Sequence, residues 1–250
     1  MRDIYSDLQN RVTELHSTLT QAIMNDQQEI TMSLSMASSM GLFGMPGKAA
    51  AALAGAALQM ASAKGNAALS QIQVITAWAG QSKDSSNRMR DRGHSWAYLN
   101  DNVLELRDLM KKVQSRGINN EWSGEAKRQW QTFTDRQIDE HDRFEEAVVK
   151  VAPLMFDASD ATDEFLMAFV MAAEAALLPG KTIASRPPMP NPAGFGIGTR
   201  TPMLAGLLST CAVQFGANMN GPWRFQAAQI SARLSAAGGA MRASMAQGAL

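Results

Sequence analysis

A single cysteine, Cys211, stands in 250 residues. That excludes a disulfide framework within the chain and a cysteine-rich metal site. Aromatic residues are scarce, at 6%, and charged ones make up 18% against 46% hydrophobic. With 17 methionines and abundant alanine, this composition favours helices, because strands draw on β-branched and aromatic side chains. No run of 18 apolar residues occurs, so no transmembrane helix is expected. The opening MRDIYSDLQNR lacks the apolar core of a cleavable leader. The expectation is a protein that stays in the cytoplasm or leaves by a leaderless route, to be secreted or held at a cell surface or membrane.

Acidic residues are absent from the last 70 positions, which hold Lys181, Arg186, Arg200, Arg224, Arg233 and Arg242. The net charge of zero therefore hides a basic C-terminal region and an acidic remainder. Six bases are too thinly spread to make a nucleic-acid footprint, and no nucleic-acid partner is expected. Two readings remain: a region that docks on the acidic body of the chain, or one that meets an anionic lipid surface.

The constellations that carry chemistry are also missing. The densest titratable cluster is Asp139-Glu140-His141-Asp142, followed by Glu145 and Glu146. A carboxylate-bridged di-iron bundle needs Glu-x-x-His on two helices, and position 138 is Ile. The expectation is a solvated helix face with i,i+4 charge pairs such as Asp139 with Arg143. His16 and His94 have no such company, and no nucleophile elbow or P-loop occurs. GFGIG at 194–198 follows prolines, not a strand, so it is no phosphate cradle. No catalytic residue, cofactor or metal ligand is expected, and the chain is read as non-enzymatic.

What the chain does have is helical periodicity. Ile4, Leu8, Val12, Leu15, Leu19 and Ile23 recur three or four apart, and the pattern continues through Ile30 and Leu34, giving a helix over 3–38. MGLFGMPG at 40–47 breaks it. A second helix follows to residue 79, with Leu53, Met60, Leu69, Ile72, Ile75 and Trp78 as its apolar side. After a polar connector at 80–87, Trp96, Leu99, Val103, Leu106, Met110 and Val113 form a strict heptad seam. Beyond the turn at Gly117, Ala126, Trp130, Phe133, Phe144, Val148, Val151 and Met155 continue one, with Gln137 and His141 as its polar members and Pro153 expected to kink or end the helix. Phe165, Leu166, Phe169, Val170, Ala173 and Leu177 line a further apolar helix.

The expected fold is all-α: an elongated antiparallel bundle of two long helical hairpins, with an additional Ala/Gly/Met-rich helical C-terminal region. The boundaries are a bundle over 1–180 (hairpins 3–79 and 84–156, helix 160–178), a Pro/Gly linker over 181–202 and a basic helical tail over 203–250.

Between the two heptad helices lies GINNEWSGEAKRQW, residues 117–130. A tryptophan in a polar turn, two residues before a glycine, asks for a reason, since an exposed indole is wasteful. Trp122 and Gly124 organise the hairpin end, and Ala126 and Trp130 fall four and eight residues beyond the tryptophan. This Trp-x-Gly turn between long helices, with a small residue and then an aromatic at those spacings, resembles the WxG family of type VII (ESX) secretion substrates. The likeness covers residues 84 to about 165, one third of the chain. Leu42-Phe43-Gly44 is similar to the Leu-x-Gly turn of a sister group, so that two hairpins here would mirror in one chain the pairing of PE and PPE proteins. The family's Tyr-x-x-x-Asp/Glu export signal is absent: Tyr5 and Tyr98 are followed four on by Gln9 and Asn102.

The resemblance implies a secreted or secretion-associated protein acting through a helical partner or a second copy of itself, with Trp122, Gly124, Ala126, Trp130 and Phe133 as the partner-binding set. The rival expectation is a membrane-active translocator or α-helical pore former, inserting helices 165–178 and 203–217 with help from the basic tail.

Overall fold

The computed structural model describes residues 3–117, 123–193 and 196–248. It is an all-α helical bundle without a strand among the described residues. Six α-helices follow in order: α1 Ile4–Ser39, α2 Met45–Ala79, α3 Ser85–Gly117, α4 Glu125–Ala184, α5 Arg200–Met219 and α6 Pro222–Gly248. By packing the chain divides into two units, a division that composition does not mark. One joins Met1–Lys83 to Glu164–Gly221, and the other joins Asp84–Asp163 to Pro222–Leu250.

The first unit is built on α1, α2, the C-terminal part of α4, and α5. Asp3 caps α1 by accepting from the Ser6 amide, which satisfies one of the helix's open donors. The α1 residues facing inward are Leu8, Val12, Leu15, Leu19 and Ala22, then Asp26, Glu29, Ser33 and Ala37. Ile30 is only half-buried and Leu34 is exposed. The inward row therefore leaves the expected apolar continuation and becomes polar in its second half. On α2 the core side is Ala51, Leu58, Ala68, Leu69, Ile72 and Ile75. Leu53 and Met60, expected on the apolar side, are each 72% exposed. This helix turns its small residues inward, where Gly65 lies against the Leu19 methyl groups.

The apolar set expected over 165–177 is buried as a whole. Phe169 packs on Phe165 at 4.8 Å and on Phe215 of α5 at 4.9 Å. Trp78 of α2 meets Phe165 edge-on at 5.8 Å. Cys211 of α5 is buried, with its thiol 3.5 Å from the Ala172 carbonyl.

In the second unit α3 and α4 form an antiparallel hairpin. Ser86 meets Ser159, His94 meets Phe156, Arg107 meets Glu145 and Gln114 meets Asp135, so residue numbers rise along one helix as they fall along the other. α4 runs unbroken through Pro153 to Ala184, where an interruption was expected. A proline's fixed φ is compatible with a helix and costs it one hydrogen bond and some crowding; the buried Val148, Val151, Ala152 and Leu154 on either side hold the helix across it. Helix α6 borders the side of α4 that carries Ala147, Lys150 and Leu154.

Candidate functional site

The heptad seam expected along α3 is split by the packing. The inward row of α3 is Trp96, Asn100, Val103, Arg107, Met110 and Gln114, spaced 4, 3, 4, 3, 4 and all buried or half-buried; Arg107 and Gln114 meet α4. This row is partly polar because α4 presents carboxylates to it: Arg107 Nη1 donates to Glu145 at 2.8 Å, and Gln114 donates to Asp135. The other half of the expected seam, Leu99, Leu106 and Val113, is exposed, and with Asn102 and Leu109, which the seam did not include, it makes an exposed row spaced 3, 4, 3, 4, with Leu106 at 52%, Leu109 at 56% and Val113 at 56%. Helices that meet water seldom carry such a row without a partner.

Of the residues expected to bind a partner, the described ones lie at the start of α4. Trp122 lies outside the described residues. Gly124 directly precedes α4 with φ +80°, a left-handed conformation that glycine adopts without penalty. A Cβ there would meet open space, so conformation and not crowding selects the glycine. Ala126 is exposed, Trp130 is half-buried and Phe133 is 53% exposed. The Trp130 and Phe133 rings lie 6.5 Å apart, tilted by 35°.

At about 100° per residue the exposed row of α3 is turned roughly 100° from the row facing α4. Ala126, Trp130 and Phe133 are turned by a similar amount, in the same sequence sense, from the buried and half-buried row Thr134, Ile138, His141 and Glu145 of α4. For antiparallel helices equal turns in one sense lead to one side of the pair. The hairpin therefore carries a two-helix apolar face: Leu99, Leu106, Leu109 and Val113 from α3, and Ala126, Trp130 and Phe133 from α4.

Charge is ordered along its rim. Exposed Asp101, Glu105 and Asp108 precede exposed Lys111 and Lys112 on α3.

The titratable cluster at 139–142 is less solvated than expected. His141 and Asp142 are half-buried, and both ring nitrogens of His141 lack a hydrogen-bond partner. The i,i+4 pair described there is Arg136 with Glu140, at 3.0 Å. Among the described residues no three His, Cys, Asp or Glu side chains gather as a metal site. Burial pushes the Cys211 thiol up to about 12, which makes it a poor nucleophile.

A second polar centre, not foreseen from the sequence, lies in the first unit. Arg200 is buried at the start of α5, and its Nη1 donates to Asp26 and to Glu29, each at 2.8 Å. Its Nε and Nη2 reach the carbonyls of Arg186 and Pro187. Burial lowers the guanidinium's proton affinity, and the hydrogen bonds and charges of Asp26 and Glu29 more than offset this, leaving its pKa above the ordinary value. The same carboxylates accept the amides of Thr201, Gly198 and Met189, while Ser33 accepts that of Asn191. Of the two readings of the basic region, docking on acidic residues describes Arg200, and also Lys181, whose Nζ lies 2.7 Å from Glu14. The signal was present in the sequence: Asp26, Glu29 and Ser33 fall on the heptad positions that follow Ala22.

No family model, no curated protein and no solved structure matches this chain.

Proposed function

We propose that this is a non-enzymatic helical assembly protein, secretion-associated in the manner of type VII substrates, and that a second copy of the chain docks on the apolar face of the α3–α4 hairpin. The observation that carries the reading is the uncovered row Leu99, Leu106, Leu109 and Val113, beside Trp130 and Phe133. The order of charge selects the occupant. In a parallel pair Glu105 would lie beside Glu105 and Lys112 beside Lys112. In an antiparallel pair each Glu105 faces the other copy's Lys112, and Leu106 faces Leu109. Such a two-fold contact is self-complementary and closes on itself. The row is about 21 Å long at 1.5 Å per residue, so the interface is small and its dissociation constant is expected on the order of micromolar. The Trp-Ser-Gly sequence at 122–124 supports the secretion-associated part of the reading.

The membrane-active reading draws on one feature. α4 contains an 18-residue window of mean hydropathy 1.4, half of it buried in the fold. Against it, Phe169 and Phe215 already pack on each other, so insertion of these helices would dismantle the first unit's core. Sedimentation equilibrium on the full chain and on Leu106→Asp/Leu109→Asp, together with dye release from anionic vesicles, separates the two. The assembly reading expects a dimer abolished by the double substitution, and no release. A monomer that empties vesicles would overturn it.

A further inference from the structure

Residues 186–192, RPPMPNP, connect α4 to α5 and are held by the Arg200 centre. Four of these seven residues are proline, and a proline fixes its own φ while pushing the residue before it out of the helical region. Arg186, Pro187, Met189 and Asn191 each precede a proline. Over 186–191 exposure repeats every three residues, with Arg186 and Pro187 exposed, Pro188 half-buried, Met189 and Pro190 exposed and Asn191 half-buried; the repeat ends at Pro192, which is half-buried. Three residues per turn is the period of the polyproline II helix. One edge of the strap is inward and bonded. The Met189 amide donates to Glu29 at 3.2 Å and the Asn191 amide to Ser33 at 3.0 Å, while the Arg186 and Pro187 carbonyls accept from Arg200 at 3.1 and 2.6 Å. Near the far end the Pro192 carbonyl lies so close to Gly47 that a Cβ there would overlap it.

From this geometry we infer that the strap is a displayed ligand, for a partner whose aromatic-lined groove reads a polyproline II helix. Pro187 and Pro190, three apart, stand on one exposed edge as the pair that fills two such aromatic slots. No described hydrogen bond reaches the carbonyls of Pro188, Met189 or Pro190, so they are open to indole or phenol donors of that groove. Arg186 has no described partner for its exposed guanidinium, which suits a carboxylate at the groove's end. A cleft of about 510 Å³ bordered by Met189, Pro190 and Met203 runs beside the strap. The Arg200 centre holds the ligand in its bound shape beforehand, which lowers the ordering cost of association. This surface belongs to the first unit and does not depend on the hairpin face.

The test titrates the full chain into purified, 15N-labelled SH3, WW and EVH1 domains and profilin, following the amide shifts of each module, because the chain's own 5 tryptophans mask a fluorescence signal. At least one should bind the wild-type chain with a dissociation constant on the order of tens to hundreds of micromolar. Pro187→Ala/Pro190→Ala should weaken that binding at least tenfold, and Arg186→Ala several-fold, with the circular dichroism of both variants unchanged. Ser33→Ala, which frees the strap at Asn191 and leaves both prolines in place, should weaken it two- to fivefold. Binding by none of the modules, or binding that the double proline variant retains, would overturn the inference.

Discussion

Arg200 and Asp26 lie 174 positions apart in the chain, and a guanidinium Nη1 of one donates to the carboxylate of the other at 2.8 Å, where Asp26 has no exposed surface. With Glu29 the pair closes the first unit by tying the start of α5 to the middle of α1. A buried ion pair adds little net stability compared with apolar packing, but removing one partner leaves a charge stranded. Arg200→Met is therefore expected to cost about 3–5 kcal/mol, read as a lower urea midpoint, with faster hydrogen exchange at the Met189 and Asn191 amides. Lys181→Ala removes a much more exposed pair with Glu14 and is expected to cost under about 1 kcal/mol. Equal losses from the two variants would contradict this assignment.

The aromatic stack of the first unit gives a second prediction. Phe169 is fully buried between Phe165 and Phe215. Truncation leaves a cavity that helices pinned along their length cannot collapse, so Phe169→Ala should cost about 3–5 kcal/mol. Phe43→Ala, at a side chain 90% exposed, should change the midpoint by less than about 0.5 kcal/mol.

The Cys211 thiol sets a pH dependence whose sign can be worked out. Its folded-state value, pushed by burial from 9.0 up to about 12, lies above its value in the unfolded chain. Between about 9 and 12 the unfolded chain has lost a proton that the native chain keeps, so stability falls as pH rises across that window, and below it stability is at its full value and the group adds no pH dependence. The slope is about 1.4 kcal/mol per pH unit at most. The difference in unfolding free energy between wild type and Cys211→Ala should therefore shrink from pH 9 upward. Native Cys211 should also react with maleimide at pH 8 at least a hundredfold more slowly than in urea.

Much of this architecture is legible in the sequence, and the failures have physical causes. The 165–177 apolar set and the first half of α1 follow from periodicity because large apolar residues there have no competing use. The second half of α1 departs from the periodicity that runs through Ile30 and Leu34, because the inward positions are Asp26, Glu29 and Ser33; their partners are amides and a guanidinium more than 150 residues away, invisible to a local window. On α3 hydrophobicity picked out a seam straddling two rows. The inner row is partly polar because α4 supplies Glu145 and Asp135, so the most apolar residues are the ones left outside. Pro153 predicts a kink or an end to the helix, because a local rule cannot weigh the packing that carries a helix across it. Of the five residues expected at the hairpin end, Trp122 lies outside the described ones, Gly124 precedes α4 with positive φ, and Trp130 and Phe133 meet on its first turns.

The most direct test of the docking face is a charge swap across the antiparallel contact. Glu105→Lys and Lys112→Glu each place like charges opposite one another in a self-pair, yet complement each other when mixed. Sedimentation equilibrium should find each variant alone weakened at least tenfold in association, and an equimolar mixture restored to the wild-type constant. If both variants associate as the wild type does and mixing changes nothing, or if all three remain monomers at hundreds of micromolar, the apolar face of the hairpin is not where a second copy docks.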